Sequence, residues 1–460
     1  MAGRVRVEES PVYKGAATGA TPFRRSTAVA WPPWVNLRVS PGQQRTARPN
    51  IPGVNARPRE LDDGNQPTWE GSMLLAPNSI VPFLLSCGHQ VVSGYPKQGN
   101  GTNEVQTLTP GGTITGGTWT ITFGSETTGA IPAAATASQI RAFLERLGAF
   151  RPGDIQVAGG PITTGPVTLT FTGKYAATNP AQVTVTTGSL TGTTPTLTPS
   201  TTTAGAVGSN TDSLGNGATA GAYIWELEPR RGVVGARASQ VPITMTIDDV
   251  DYGDPWLFAT GAVTTQLGFG QDGTVSVSGP ALYVQRELAD PALTPVVESD
   301  TIRTLLFSDL TVSGWGGGST CDISGFTWSL EAAASAQANV CVVSGWPGRA
   351  RIDAKFTGLS GSVESSLFDA STWDSMLAAS TFQTVANYRT NSLIGSSGTP
   401  YRLSLSMPAT QLGADGGPEA MEGKLGHGAT WPWMAVYSTS AGYQHRIIVV
   451  NAVSAVETYV

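Results

Sequence analysis

Between Thr109 and Thr203 the chain carries 26 threonines in 95 residues and only seven charged side chains. The segment alternates. In Thr118–Phe123, Trp119, Ile121 and Phe123 fall on one side and Thr118, Thr120 and Thr122 on the other. In Val167–Thr172, Val167, Leu169 and Phe171 face one way and the three threonines the other. Period-two alternation with β-branched residues on the wet side predicts half-buried strands, not disordered filler. Between these strands Ile140, Phe143, Leu144 and Leu147 recur at i, i+3, i+4 and i+7. That spacing predicts one amphipathic helix over Ser138–Leu147, with Ser138 or Thr136 as N-cap. The segment therefore reads as a complete small α+β domain set inside a larger one.

The rest of the chain must be mainly β. Its 460 residues exceed what one hydrophobic core usually serves, so two to four domains are expected. Glycine (56) and proline (31) are abundant while charged residues make up 13%, the composition of many short strands joined by tight turns. The net charge is −6 and no long Lys/Arg run exists, which excludes an electrostatic footprint for holding DNA. No apolar stretch reaches the roughly 18 residues of a membrane helix. The first residues lack the apolar stretch of a secretory signal. Cys87, Cys321 and Cys341 are too few for a disulfide framework and lack Cys-x-x-Cys spacing. They read as reduced, buried thiols, although Cys321 and Cys341 could also face each other on neighbouring strands.

Four segments follow. Residues 1–68, rich in Pro and Arg, read as an N-terminal arm or long loop, because Phe23, Trp31 and Trp34 are costly to leave in water. Residues 69–108 and 204–295 form a first domain, interrupted by the inserted domain at 109–203. Residues 296–460 form a second. Gly94–Gly101 and Gly205–Gly221 read as flexible joints on either side of the insert. The two larger parts share a grammar. Strand Trp69–Leu75 precedes a short helix at Ser79–Leu85, with Ser79 as N-cap and Pro82 in the first turn. Strand Leu359–Phe368 precedes a short helix at Ser371–Leu377. An alternating strand follows in each, Ile243–Asp248 and Tyr401–Met407, and each part closes on a hairpin pattern, the first turning at Gln271-Asp272-Gly273. This reads as a degenerate duplication of one β-sandwich with a helix.

No motif for chemistry emerges, and no catalytic, cofactor-binding or metal-binding residue is assigned. His89, His427 and His445 are scattered, without a carboxylate or cysteine at ligand spacing. Asp248, Asp249, Asp251 and Asp254 cluster, but without the spacing or closing glutamate of a calcium loop, so they read as a solvated turn. Gly314–Ser319 is glycine-rich but opens no helix, and reads as a hairpin loop rather than a phosphate cradle. The 12 tryptophans are spread singly, as core or interface residues are.

Some of these segments resemble a known family. Gly117–Phe123, the Ala137–Leu147 helix, Ile155–Pro161, Val167–Gly173 and Ala177-Thr-Asn resemble a small module recurring in tail proteins of long-tailed bacteriophages. The flanking parts resemble the major tail tube proteins of siphovirus-type phages. The likeness is clearest over Gly348–Gly358, Pro400–Pro408 and Arg446–Asn451. The resemblance implies two tandem tail-tube-type β-sandwich or barrel domains, each with a short helix. It also implies a structural virion protein, not an enzyme and without cofactors, assembled in the host cytoplasm. Copies would close into rings, the inner sheets would join across subunits, and stacked rings would form the tube through which DNA is ejected. Partners implied are copies of the chain itself, a tape measure protein, and tail terminator and tip proteins, with no membrane. Two tube folds per chain imply a trimeric ring of pseudo-sixfold symmetry; a hexamer is the competitor. Two other classes stay open. One is a minor tail or virion-surface adhesion protein whose Thr-rich module binds a host glycan. The other is a glycan-active enzyme, for which no carboxylate pair can be named.

Overall fold

The computed structural model describes residues 2–7, 28–31, 33–40, 42–46, 61–65, 67–230, 243–248, 256–281, 283–287, 294–297, 305–315, 323–337, 351–365, 370–414, 416–420 and 427–454. The chain is mainly β. It runs β1 (Ala2–Val7), β2 (Ala28–Trp31), β3 (Trp34–Ser40), β4 (Gln43–Thr46), β5 (Leu61–Asn65) and β6 (Thr68–Leu74) into α1 (Val81–Ser86), β7 (His89–Val91) and β8 (Lys97–Gln98). The insert holds β9 (Val105–Phe123), β10 (Glu126–Thr127), β11 (Ile131–Pro132), α2 (Ala137–Leu144), β12 (Ile155–Gly159), β13 (Val167–Phe171) and β14 (Thr184–Thr203). Next come β15 (Tyr223–Pro229), β16 (Ile243–Asp248), β17 (Trp256–Ala262), β18 (Gln266–Phe269), β19 (Thr274–Pro280), β20 (Tyr283–Glu287) and β21 (Thr294–Val297). The final stretch is β22 (Leu310–Ser313), β23 (Ile323–Gln337), β24 (Arg351–Ser365), α3 (Ala370–Leu377), β25 (Thr381–Leu393), β26 (Pro400–Leu412), β27 (Gly417–Ala420), β28 (His427–Ala435) and β29 (Arg446–Asn451).

Fifteen of these strands form one sheet that bends into two wings. The first wing runs β3-β6-β19-β18-β23-β24-β28, with β27 on the far side of β28. The second runs β7-β15-β29-β26-β25-β22, with β8 beside β7 on the same edge of β15. Strand β26 belongs to both: Arg402–Ser406 pair with β29 and Thr410–Leu412 with β28. The buried faces of the wings and the two flanking helices share one core, which includes Trp69, Trp225, Trp328, Trp431 and Trp433. The two larger parts read from the sequence therefore interlock: β18 pairs with β23, and β15 pairs with β29. A separate six-stranded sheet has the order β20-β17-β16-β1-β2-β21.

The first wing repeats itself. In its first half, hairpin β3-β6 leads through α1 to the pair β7-β15, and hairpin β18-β19 returns β19 against β6. In its second half, hairpin β23-β24 leads through α3 to the pair β25-β26, and hairpin β27-β28 returns β28 against β24. Strand order is the same in both halves, and every one of these pairings is antiparallel. Gly71 and Gly361 mark equivalent positions, opposite Val277 and Trp433 on the returning strands.

Local details differ from the sequence reading. Helix α1 starts one residue later than expected: its N-cap position is Ile80 rather than Ser79, and Pro82 falls in its first turn, where a missing N–H costs nothing. Helix α2 is capped by Thr136, whose hydroxyl accepts from the Gln139 N–H while the Gln139 side chain accepts from the Thr136 N–H. The segment 1–68 contains more than an arm. Within it β3 is an integral strand of the sheet and Trp34 packs on the core, 5.7 Å from the Phe83 ring.

The insert has its own core of Leu108, Trp119, Ile121, Ile140, Leu144, Leu169, Phe171 and neighbours, under long antiparallel strands β9 and β14. Its two connections are packed, contrary to the expectation of flexible joints. Thr102 and Ala206 form a bridge, as do Gly101 and Thr219. Ala218 and Ala222 are fully buried against Ile224, Ile394, Tyr401, Ile448 and Val450. Their small side chains serve close packing rather than freedom. Asp212 accepts from the Leu214 and Asn216 N–H groups at 2.9 and 2.8 Å and pairs with buried Arg402 of β26. The insert is clamped as well: Arg389 of β25 meets Asp154 at 3.2 Å, and the Gly173 N–H donates to the Gly398 carbonyl.

Gly361 gives a direct test of the first wing's packing. A Cβ there would lie 2.0 Å from the Thr327 carbonyl oxygen and 2.7 Å from Trp433, whereas one at Gly358 on the same strand meets open space. Gly361→Ala is expected to cost roughly 1–3 kcal/mol, the range for overpacking, and Gly358→Ala close to nothing. Thermal melting of the two variants checks this.

Candidate functional site

The surface with most functional potential is the outward face of the first wing. Along each strand the alternate residues point away from the core. On β3 and β6 these are Asn36, Arg38, Glu70 and Ser72; on β19, Ser276 and Ser278. On β23 and β24 they are Thr327, Ser329, Glu331, Ser360, Ser362 and Glu364. Every one is exposed or half-buried, while the intervening Trp69, Val275, Val277, Trp328, Leu330, Leu359 and Val363 are buried. The result is a broad surface of short hydroxyls. Thr327 and Ser362 hydrogen-bond each other at 2.8 Å, and Ser276 donates to the Gly268 carbonyl.

Among the described side chains, charge on this face is sparse and leans acidic, with Glu70, Glu331 and Glu364 against Arg38. The Arg38–Glu70 ion pair there, at 3.4 Å, is solvated and contributes little. Such a face gives a polyanion no array of cations to bind and few large apolar groups to stick to. A shallow groove of about 670 Å³ crosses one end of it, lined by Arg38, Ser40, Thr68, Glu70, Thr265 and Ser278 among others.

Two free strand edges flank the face. Among the described residues β3 is paired only with β6, and β27 only with β28. Val35, on β3, is 60% exposed, unusual for an apolar residue in a strand of this sheet.

The structure brings together one pair that the sequence did not flag. His89 opens β7 and His445 immediately precedes β29, yet their Nε2 atoms lie 2.8 Å apart. Both rings are fully buried, and Phe356 packs on both at 5.1 and 5.2 Å. One ring must donate and the other accept, and complete burial favours the neutral form of both. Burial pushes His89 down to about 4, only partly offset by the Leu84 and Cys87 backbone. His445 is held well below the ordinary histidine range by burial and by the facing His89. Nearby, burial pushes the Cys87 thiol up to about 12, the opposite of an activated thiolate. A separate polar group ties the second wing together: Arg446 lies 3.5 Å from Glu226 and 3.6 Å from Glu228, over the Tyr443 ring.

The other residues weighed from sequence are not gathered. His427 opens β28, Asp248 closes β16 and Gly314 follows β22. Asp249, Asp251, Asp254, residues 316–319, Cys321 and Cys341 lie outside the described residues. Among the described residues no three His, Cys, Asp or Glu side chains stand together as a metal site, and no helix is long and apolar enough to cross a membrane.

The histidine pair has a pH signature. Unfolded, His89 takes its proton near 6.5; folded, it does so only near 4. Between those values the unfolded chain binds more protons, so the contribution is complete above pH 6.5 and is lost as pH falls toward 4. Its size is up to about 3 kcal/mol. Melting temperature is expected to fall more steeply between pH 6.5 and 4 in the native chain than in a His89→Gln/His445→Gln variant. Equal slopes would remove the pair from the acid response.

Compared with known proteins, the chain matches no family model and no curated protein.

Proposed function

We propose that this chain is a self-assembling structural subunit of the tail-tube type. Copies close into a ring, the first wings join edge to edge, and their polar faces line a bore through which DNA passes. The observation that carries this reading is the repeated four-strand order of the first wing, with β3 and β27 each paired on one side only among the described residues and one face rich in short hydroxyls. An edge-exposing sheet of this length is an aggregation hazard unless it is paired, and ring closure pairs it. The lining suits transit: hydroxyls and a slight acidic excess leave DNA unbound.

Strand number favours three copies per ring. Each chain supplies eight strands to the first wing. At about 4.8 Å between strands, three copies make a barrel with a backbone diameter of about 37 Å, widened by strand tilt. That accommodates one duplex within its side-chain lining. Six copies of this chain would double the diameter. The insert contacts β25 and the β25–β26 turn, on the second wing, which supports an outward position for it as a decoration of the proposed ring.

Negative-stain imaging of purified protein tests the reading. Rings or tubes with three inserts per turn are expected. A chain that stays monomeric and binds host cells would overturn it in favour of an adhesion protein, and six inserts per ring would overturn the trimer.

A further inference from the structure

A cavity of about 170 Å³ lies where the insert meets the second wing. Three parts of the chain wall it: Lys174 and Thr178 from the insert, Asn216 from the connection that leaves it, and Asn387, Arg389 and Arg402 from β25 and β26. Three of these side chains are cationic, and among the described residues no carboxylate lines the cavity. The carboxylates that pair with the arginines are already heavily engaged. Asp154 meets Arg389 at 3.2 Å, and its two oxygens also accept from the Lys174 and Arg151 backbone N–H groups. Asp212 pairs with Arg402 and accepts from the Leu214 and Asn216 N–H groups.

Positive charge and donors are therefore in excess. Burial pushes the Arg389 guanidinium down to about 10; Asp154 opposes this, and the like charges of Arg402 and Arg151 add to it. It still carries its charge at neutral pH. Lys174 is exposed and forms no ion pair among the described residues; its Nζ lies over the Tyr175 ring, 4.9 Å from the centroid. Arg402 is only 8% exposed, and its Nε has no hydrogen-bond partner. A buried donor without a partner is costly, and in folded proteins such a group is met by water or an ion. Ser404 donates to Asn387 Oδ1 at 2.8 Å, so what that amide has left to offer is its N–H donors.

We infer that this cavity binds a small tetrahedral oxyanion of the phosphate class, held by Lys174, Arg389 and Arg402. The planar fork of arginine matches phosphate oxygens, and lysine adds a point charge. The volume admits a phosphate with a few attached atoms, not a length of polymer. The anion ties the insert, through Lys174, to hairpin β25–β26, through Arg389 and Arg402. It thereby adds a third link to the Asp154–Arg389 and Asp212–Arg402 pairs. The site belongs to the single folded chain and does not depend on the ring proposed above.

Equilibrium dialysis of the full chain against labelled inorganic phosphate, at constant ionic strength in chloride, tests the site. Saturable binding of one phosphate per chain is expected, with sulfate competing and the melting temperature rising as the site fills. Lys174→Gln and Arg389→Gln are each expected to weaken binding about tenfold, the loss of one charge-assisted hydrogen bond. Lys174 is exposed, so its variant is expected to melt with the native chain in phosphate-free buffer, and it decides the matter if Arg389→Gln does not fold. Glycerol 3-phosphate in the same assay separates the sources: tighter binding than phosphate assigns the site to a phosphate monoester, equal or weaker binding to the free ion. Absence of saturable binding of both anions, or binding of unchanged strength in Lys174→Gln, would overturn the site and leave the ring standing.

Discussion

The whole architecture depends on one requirement: every backbone N–H and C=O in a long sheet needs a partner. The β18–β23 ladder satisfies that requirement in the middle of the first wing and so fuses two repeated units into one continuous surface. Without it, the first unit would lose its pairing to the second, which would stay joined to the second wing only through β26. With it, the Phe269–Trp328 stack and the shared tryptophan core make the halves mutually dependent. The same requirement is unmet at β3 and β27 among the described residues, and the proposed ring would meet it by bringing further copies alongside.

Much of this was legible in the sequence because strands and helices write their periods into it. The alternation at Thr118–Phe123 and Val167–Thr172 appears as buried Trp119, Ile121, Phe123, Val167, Leu169 and Phe171. The parallel grammar of Trp69–Leu75 and Leu359–Phe368 marks strands that occupy equivalent places in the sheet. Long-range pairing was not legible. His89 and His445 are 356 residues apart, and nothing local to either announces a buried partner. Strand β3 was hidden by its surroundings of proline and arginine, which read as an arm. The joints misled for a physical reason: glycine, alanine and small polar residues favour flexibility in water, yet they also permit close backbone packing. Burial of Ala218, Ala222 and Asp212 shows that packing prevails here.

That packing changes what the insert can do. A module on loose linkers samples many orientations, and a ligand would have to immobilise it. Here Asp212–Arg402 anchors the connection and Asp154–Arg389 anchors the module itself. Both arginines come from the β25–β26 hairpin. Removing one partner of the buried Asp212–Arg402 pair would leave an uncompensated charge, so the geometry is defended. The corresponding connection in the first unit, between β7 and β15, is where the insert enters. Hairpin β25–β26 of the second unit therefore serves as the seat for the decoration carried by the first.

Duplication within one chain also bears on assembly. In the proposed ring of six units, three junctions are intramolecular and three remain to be formed between chains. Each intramolecular junction avoids the translational and rotational cost of association, so closure of the proposed ring needs less from each remaining contact. Fusion also frees the two units from identity. One unit can carry an insert and the other the arginines that hold it, a division impossible in a ring of six identical subunits without each copy doing both. The threefold spacing of the decoration would then follow from the same β18–β23 ladder that makes the sheet continuous.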